Sequence, residues 1–152
     1  MDLHIRNYIL YKIRTLDERK KELNRLLEAR ERMRSEVIES SPGAMDGQPR
    51  GKGGTSDPVL SKVLKLEEID KRISVLDNEL KAIERAEKKI YIVGGNLSLR
   101  IYNETIKNEA NLEYKAFEFG MGRATLWRYR SKLMEMIAKE LGEYIDLDNL
   151  ED

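Results

Sequence analysis

The chain has 152 residues, 37% charged, 40% hydrophobic and 7% aromatic, and its 28 basic side chains balance 28 acidic ones. Zero net charge gives no bulk sign of a nucleic-acid partner, and the lack of cysteine excludes disulfides, thiolate zinc sites and cysteine nucleophiles together. One histidine cannot build an imidazole metal cluster, and no apolar run approaches the ~20 residues of a membrane span.

Residues 2 to about 39 read as one long helix. Ile9, Leu16, Leu23, Arg30 and Val37 recur every seven residues, with Leu26 and Met33 as the companion series and charged residues between. Arg19 and Arg30 fall on this seam and leave it imperfect. His4, near its start, reads as an exposed residue in preference to a ligand. Ser40-Ser41-Pro42-Gly43 ends the helix.

Segment 40–56, SSPGAMDGQPRGKGGTS, holds five of the ten glycines and two of the three prolines, so it is not regular structure. Its Gly47, Gly51 and Lys52 do not have phosphate-loop spacing and no strand precedes them, which excludes nucleotide binding there. The segment reads as a tether, with a basic loop touching DNA or polymerase (through Arg50 and Lys52) as the alternative.

Asp57 is an N-cap candidate with Pro58 at the first helical position. Val59, Leu66, Ile69, Ile73, Leu76, Leu80, Ile83 and Ile90 then follow alternating three–four spacing to about residue 90, broken by Lys62 and Glu87. Two helices of similar length, each about 50 Å at ~1.5 Å per residue, predict an antiparallel coiled-coil hairpin over 1–93. Leu60, Val63 and Leu64 lie off the seam, which favours a homo-oligomer, a dimer first.

Gly94-Gly95-Asn96 is the second break. Leu97 to about Asn108 reads as a helix capped by Asn96, and Asn111 as the cap of a short helix from Leu112 to Phe119. Gly122 is a weaker cap for a helix from Arg123 to about Leu141, and Gly142 fits a C-terminal stop. The expected fold is therefore all-α: the hairpin, a trihelical domain over 94–142, and an acidic tail over 143–152.

Within LEYKAFEFGMGRATLWRY, from Leu112 to Tyr129, the spacing is that of a DNA-binding helix-turn-helix. Ala116 is small enough for a second helix to cross over it, Gly120 tolerates the positive φ of a sharp reversal, and Leu126 and Tyr129 close the small core. Four basic residues and no acid lie between Arg123 and Lys132. Arg123 is the first candidate for base readout, because the N-terminal residues of a recognition helix reach base edges. Trp127 is open between two roles: lying against a sugar or thymine methyl, or packing on the helix from Leu97 or on the stalk.

ATLWRYRSKLMEMIAKELGEY, with the helix before it, resembles the helix-turn-helix of the ArpU/RinA group of phage late-gene transcription activators, which have folds like sigma-factor region 4. The linker DGQPRGKGGTSDP resembles a signature of related small phage and prophage proteins. The resemblance implies sequence-specific double-stranded DNA binding, activation of transcription and contact with RNA polymerase. Carried over by position, it implies Arg123, Ala124, Trp127 and Arg128 as groove-facing residues and Thr125, Arg130 and Lys132 as phosphate contacts. This chain has Gly122-Arg123-Ala124-Thr125 where many members carry Ser-Arg-Ser/Thr-Thr, so hydroxyls for capping and backbone contacts are partly missing.

The carboxylates sit at heptad flanks and do not converge, so neither an enzyme nor a cofactor nor a metal is expected, and the compartment expected is cytoplasmic. A small-terminase-like DNA recruiter is one alternative. A coiled-coil adaptor that binds protein, indifferent to loss of Arg123, Arg128 and Arg130, is another.

Overall fold

The computed structural model describes residues 2–39 and 58–142, which fold into helices joined by short turns, with no strand among them. Segment 40–56, the Asp57 cap and the tail 143–152 lie outside the described residues. In chain order the elements are α1 (Leu3–Arg14), α2 (Leu16–Glu39), α3 (Pro58–Ile101), a π-helical turn (Tyr102–Lys107), α4 (Leu112–Glu118) and α5 (Arg123–Leu141). No helix among them is long and apolar enough to cross a membrane.

The single helix expected over 2–39 is interrupted at Thr15, where φ is −104° and ψ 17°. The Thr15 hydroxyl donates to the Tyr11 carbonyl at 2.6 Å. A threonine bonding back one turn competes with the helical ladder and bends it. Upstream, Asp2 caps α1 by accepting from the His4 amide at 2.7 Å.

The chain divides into two compact units, one of residues up to Glu18 together with those from Asn78 onward, the other of Arg19–Asp77. In the second unit Ile73 and Leu76 are buried, and Leu23, Leu26, Met33, Val37, Leu66 and Ile69 are half-buried along the heptad seam. Glu22 pairs with Arg72 at 3.3 Å and Arg30 with Asp70 at 3.7 Å, so later residues of α2 meet earlier residues of α3. The largely exposed Glu22–Arg72 pair contributes ~0–1 kcal/mol. The apolar seam carries more of the association, at about 25 cal/mol per Å² of apolar surface removed from water.

The first unit has one continuous core. Ile9, Ile13 and Leu16 pack with Ala82, Ile83, Ala86 and Ile90 of α3, with Ile101, Tyr102 and Ile106, and with Ala116, Leu126, Leu133, Met134, Ile137 and Leu141. Lys12 reaches both carboxylate oxygens of the buried Glu79, at 3.1 and 3.0 Å. α3 bends at Gly95, where φ is 69° and ψ −159°. That region of backbone space is essentially reserved for glycine. The break expected at Gly94-Gly95 is thus present, and only Gly95 adopts the left-handed φ.

The helix expected from Leu97 to Asn108 does not continue as an α-helix. From Tyr102 to Lys107 it widens into the π-turn. The Thr105 hydroxyl donates to the Ile101 carbonyl at 2.6 Å, and the Asn108 amide group donates to the Asn103 carbonyl at 2.8 Å, five residues back. These two side chains take up carbonyls that a regular turn would share with amides. Tyr102 is buried in this turn, and burial first, then the neighbouring Glu87 carboxylate, push its phenol well above the ordinary tyrosine range.

Candidate nucleic-acid interface

Asn111 opens α4 as its spacing predicts: its side-chain oxygen accepts from the amides of Glu113 and Tyr114 at 3.0 and 3.2 Å. The helix closes seven residues later. The Met121 amide donates to the Ala116 carbonyl and the Gly120 amide to the Phe117 carbonyl, both at 3.0 Å, which is the Schellman pattern. Gly120 stands at φ 66°, where an L side chain is strained. Ala116 is buried in the elbow and Leu126 wholly so, with Tyr129 half-buried against the same core.

α5 follows after Gly122, whose backbone is extended and which supplies no side-chain cap. Its first turn carries no acid, and its amides have no capping hydroxyl. A helix N-terminus left this way favours anions, since the free amides and the macrodipole both present positive charge. The inward side of α5 buries Leu126, Leu133, Met134, Ile137 and Leu141. Its exposed residues are Arg123, Ala124, Arg128, Lys132, Glu135 and Lys139. Ala124, Arg128 and Lys132, spaced by four, form one row along the helix.

The residues marked out by the sequence therefore separate into two groups. Arg123, Ala124, Arg128 and Lys132 are exposed, and among the described residues Arg128 and Lys132 take part in no ion pair. Arg123 pairs with Glu113 of α4 at 3.0 Å, with both side chains largely in solvent. Such a pair gives way readily to a phosphate or a base edge, being worth ~1 kcal/mol at most.

Thr125, Trp127 and Arg130 form the second group. Thr125 and Trp127 are half-buried, and Arg130 is only 7% exposed. The expectation that Arg130 contacts phosphate from the outer face of α5 requires correction, because its guanidinium turns inward. It donates from Nη2 to the Thr105 carbonyl at 3.2 Å. The last carbonyls of a helix lack amide partners and carry the negative end of the dipole, so a cation settles there. Burial, and then the charges of Arg6 and Arg14, lower the proton affinity of Arg130.

Trp127 is half-buried beside two guanidiniums. The guanidinium of Arg6 on α1 lies 5.6 Å from its ring centroid, and that of Arg130 lies 5.3 Å away. Arg14, also on α1, donates from Nε to the Ile106 carbonyl at 3.2 Å. Sequence reasoning missed both α1 arginines. Nothing local marks them, because their partners lie about a hundred residues further on.

Around the elbow several other charges pair with one another. Arg100, Glu104, Lys115 and Glu118 form a chain of ion pairs of 3.2, 3.1 and 3.0 Å between the π-turn and α4. Lys115 chiefly holds the Glu104 carboxyl below its ordinary range, and Glu118 chiefly holds the Lys115 ammonium above its own. Arg100 also lies 5.1 Å from the Phe119 ring centroid. Glu140, near the end of α5, meets Arg85 at 3.4 Å and Lys89. No cluster of three or more metal-ligating side chains occurs among the described residues. Comparison of the chain with protein-family models, curated proteins and solved structures found no match.

Proposed function

We propose that this chain binds double-stranded DNA in a sequence-dependent way through α5 and acts as a transcriptional regulator, an activator of late genes of the phage or prophage kind. The observation that carries the reading is the exposed row of Ala124, Arg128 and Lys132, with Arg123 in the first turn. That face is held outward by the Ala116–Gly120 elbow. An arginine bidentate to guanine O6 and N7 gives ~1–3 kcal/mol of discrimination, and cations further along the helix take phosphates. In this reading α4 and α5 are the two helices of a helix-turn-helix, α2 and α3 the arms of a coiled-coil hairpin, and no catalytic step is involved.

Leu60 and Leu64, 55% and 56% exposed, are apolar positions that a second copy would cover. A dimer would set two recognition helices about 34–36 Å apart, one turn of DNA. Contact with RNA polymerase completes the proposed activation.

Gel-shift assays on duplex fragments of the surrounding genome test the reading. Preferred fragments should be bound at moderate salt by the native chain and lost when Arg123, Arg128 and Lys132 are replaced together by alanine. Binding without any preference, or no binding, would sink it.

One observation favours a second reading, a protein-binding adaptor: Phe117 of α4 is 83% exposed, beside an exposed Tyr114. Large exposed aromatics are common anchors of protein interfaces. An adaptor would be indifferent to the triple alanine variant and sensitive to Phe117→Ser.

A further inference from the structure

Arg14 of α1 and Arg130 of α5, more than a hundred residues apart in sequence, meet at the end of the π-turn, and Arg6 of α1 joins Arg130 at Trp127. Arg130 and Arg14 donate to the adjacent Thr105 and Ile106 carbonyls, each at 3.2 Å. Arg6 and Arg130 share the Trp127 ring. None of the three joins an ion pair among the described residues, whereas Glu79, Glu87, Glu104, Glu113, Glu118 and Glu140 of the same unit are all committed to other cations. Asp17, one turn beyond Arg14, shares a small surface depression with it but does not pair with it.

Like charges gathered this way repel. Arg6 and Arg14 both disfavour the charged form of Arg130, which nonetheless stays protonated because guanidinium does not lose its proton in proteins. The Arg130 Nε is buried without an acceptor. Two carbonyl dipoles offset part of this and a full anion would offset more. Arg14 is exposed and Arg6 half-buried. Each guanidinium has five N–H donors, so Arg14 keeps several after its bond to Ile106. Such forks match a phosphate in the bidentate manner.

We propose that Arg6 and Arg14, backed by Arg130 and Trp127, receive a phosphate of the DNA backbone, so that α1 joins α5 in holding the duplex. The inference rests on the DNA-binding reading for the source of the phosphate. The site itself rests on the cluster alone.

The test compares the full chain with the double variant Arg6→Gln/Arg14→Gln, leaving the buried Arg130 in place. In the first arm, binding to a fluorescent duplex is followed by anisotropy between about 50 and 200 mM salt. The slope of log affinity against log salt should fall by about 0.9 for each phosphate contact removed. In the second arm, thermal unfolding is followed in inorganic phosphate and in chloride at equal ionic strength. Phosphate stabilises proteins generally by exclusion from their surface, so the quantity that counts is the extra rise of the native chain over the double variant.

A flatter slope together with an extra rise supports the proposal. An unchanged slope in the double variant, with a flatter one in Lys132→Ala, overturns it while leaving the DNA reading intact. Absence of duplex binding overturns the reading and the DNA source together. Equal melting shifts in both chains then dispose of the phosphate site as well, while an extra rise in the native chain upholds it for free phosphate. Far-UV circular dichroism of the double variant should match the native chain, because Arg14 is exposed, Arg6 half-buried, and neither belongs to the hydrophobic core.

Discussion

The guanidinium of Arg130 lies 5.3 Å from the centroid of Trp127, three residues back on the same helix, and donates to the Thr105 carbonyl at 3.2 Å. An arginine that read as part of a DNA-facing surface is thereby a bolt between α5 and the π-turn. Its removal is a stability matter first and a binding matter second.

Arg130→Ala should destabilise the chain by about 1–3 kcal/mol, because it leaves the Thr105 carbonyl without its donor and opens space beside Trp127. Arg130→Lys should recover little, since an ammonium cannot both reach the carbonyl and lie flat on the indole. Urea unfolding of the two variants checks this. Equal stability of Arg130→Ala and the native chain would show that the inward contact carries no load.

Gly120→Ala should cost about 1–2 kcal/mol, the penalty of a side chain in left-handed backbone. No neighbouring atom lies within 4 Å of a Cβ built there, so the cost is backbone strain and not a clash. Gly122→Ala, at a φ of −72°, should be far milder. Denaturant midpoints of the two variants side by side separate strain from simple loss of glycine.

Arg128→Ala and Lys132→Ala should leave stability within about 0.5 kcal/mol, as substitutions at exposed, unpaired positions usually do. Lys132→Ala should weaken all duplexes alike and reduce the salt slope by about 0.9. Arg123→Ala should instead relax preference at one base pair, by about 1–3 kcal/mol. Salt titrations on a preferred and a scrambled duplex distinguish the two behaviours.

The pH dependence follows from Glu140. Lys89 first, then Arg85, hold its carboxyl below the usual value of 4.5. A group whose folded value is depressed stabilises the fold fully above its unfolded value and loses that contribution as pH falls through the folded one. Stability should therefore hold from neutral pH to about 5 and decline below the usual glutamate range, with Glu140→Gln showing a shallower decline. Melting temperatures over a citrate–phosphate series measure it. Identical acid limbs for both proteins would exclude the contribution.

The elbow was legible in sequence because its determinants are local. The Asn111 cap, Ala116, the positive φ of Gly120 and the Leu126 core position all act within a span of sixteen residues. The seam residues Ile9, Leu16, Ile73, Leu76, Ile83 and Ile90 were legible for a similar reason, since heptad spacing is a surface property of the helix itself. Arg130 was not. Whether an arginine beside a tryptophan looks outward or inward depends here on carbonyls freed by the π-turn, and that turn depends on the Thr105 hydroxyl bonding back to Ile101. The interruption at Thr15 has the same origin in a hydroxyl whose choice of acceptor leaves no trace in hydrophobic periodicity. Gly142, which fits a C-terminal stop in the sequence, does close α5 after Leu141, with a right-handed φ of −54°.

The most direct measurement of the central claim is selection of the full chain on a randomised duplex library, run in parallel with Arg123→Ala. The account predicts enrichment of a defined motif by the native chain, and loss of information at one position of that motif in the variant. No enrichment by the native chain, or the same motif recovered at full strength without Arg123, would contradict it.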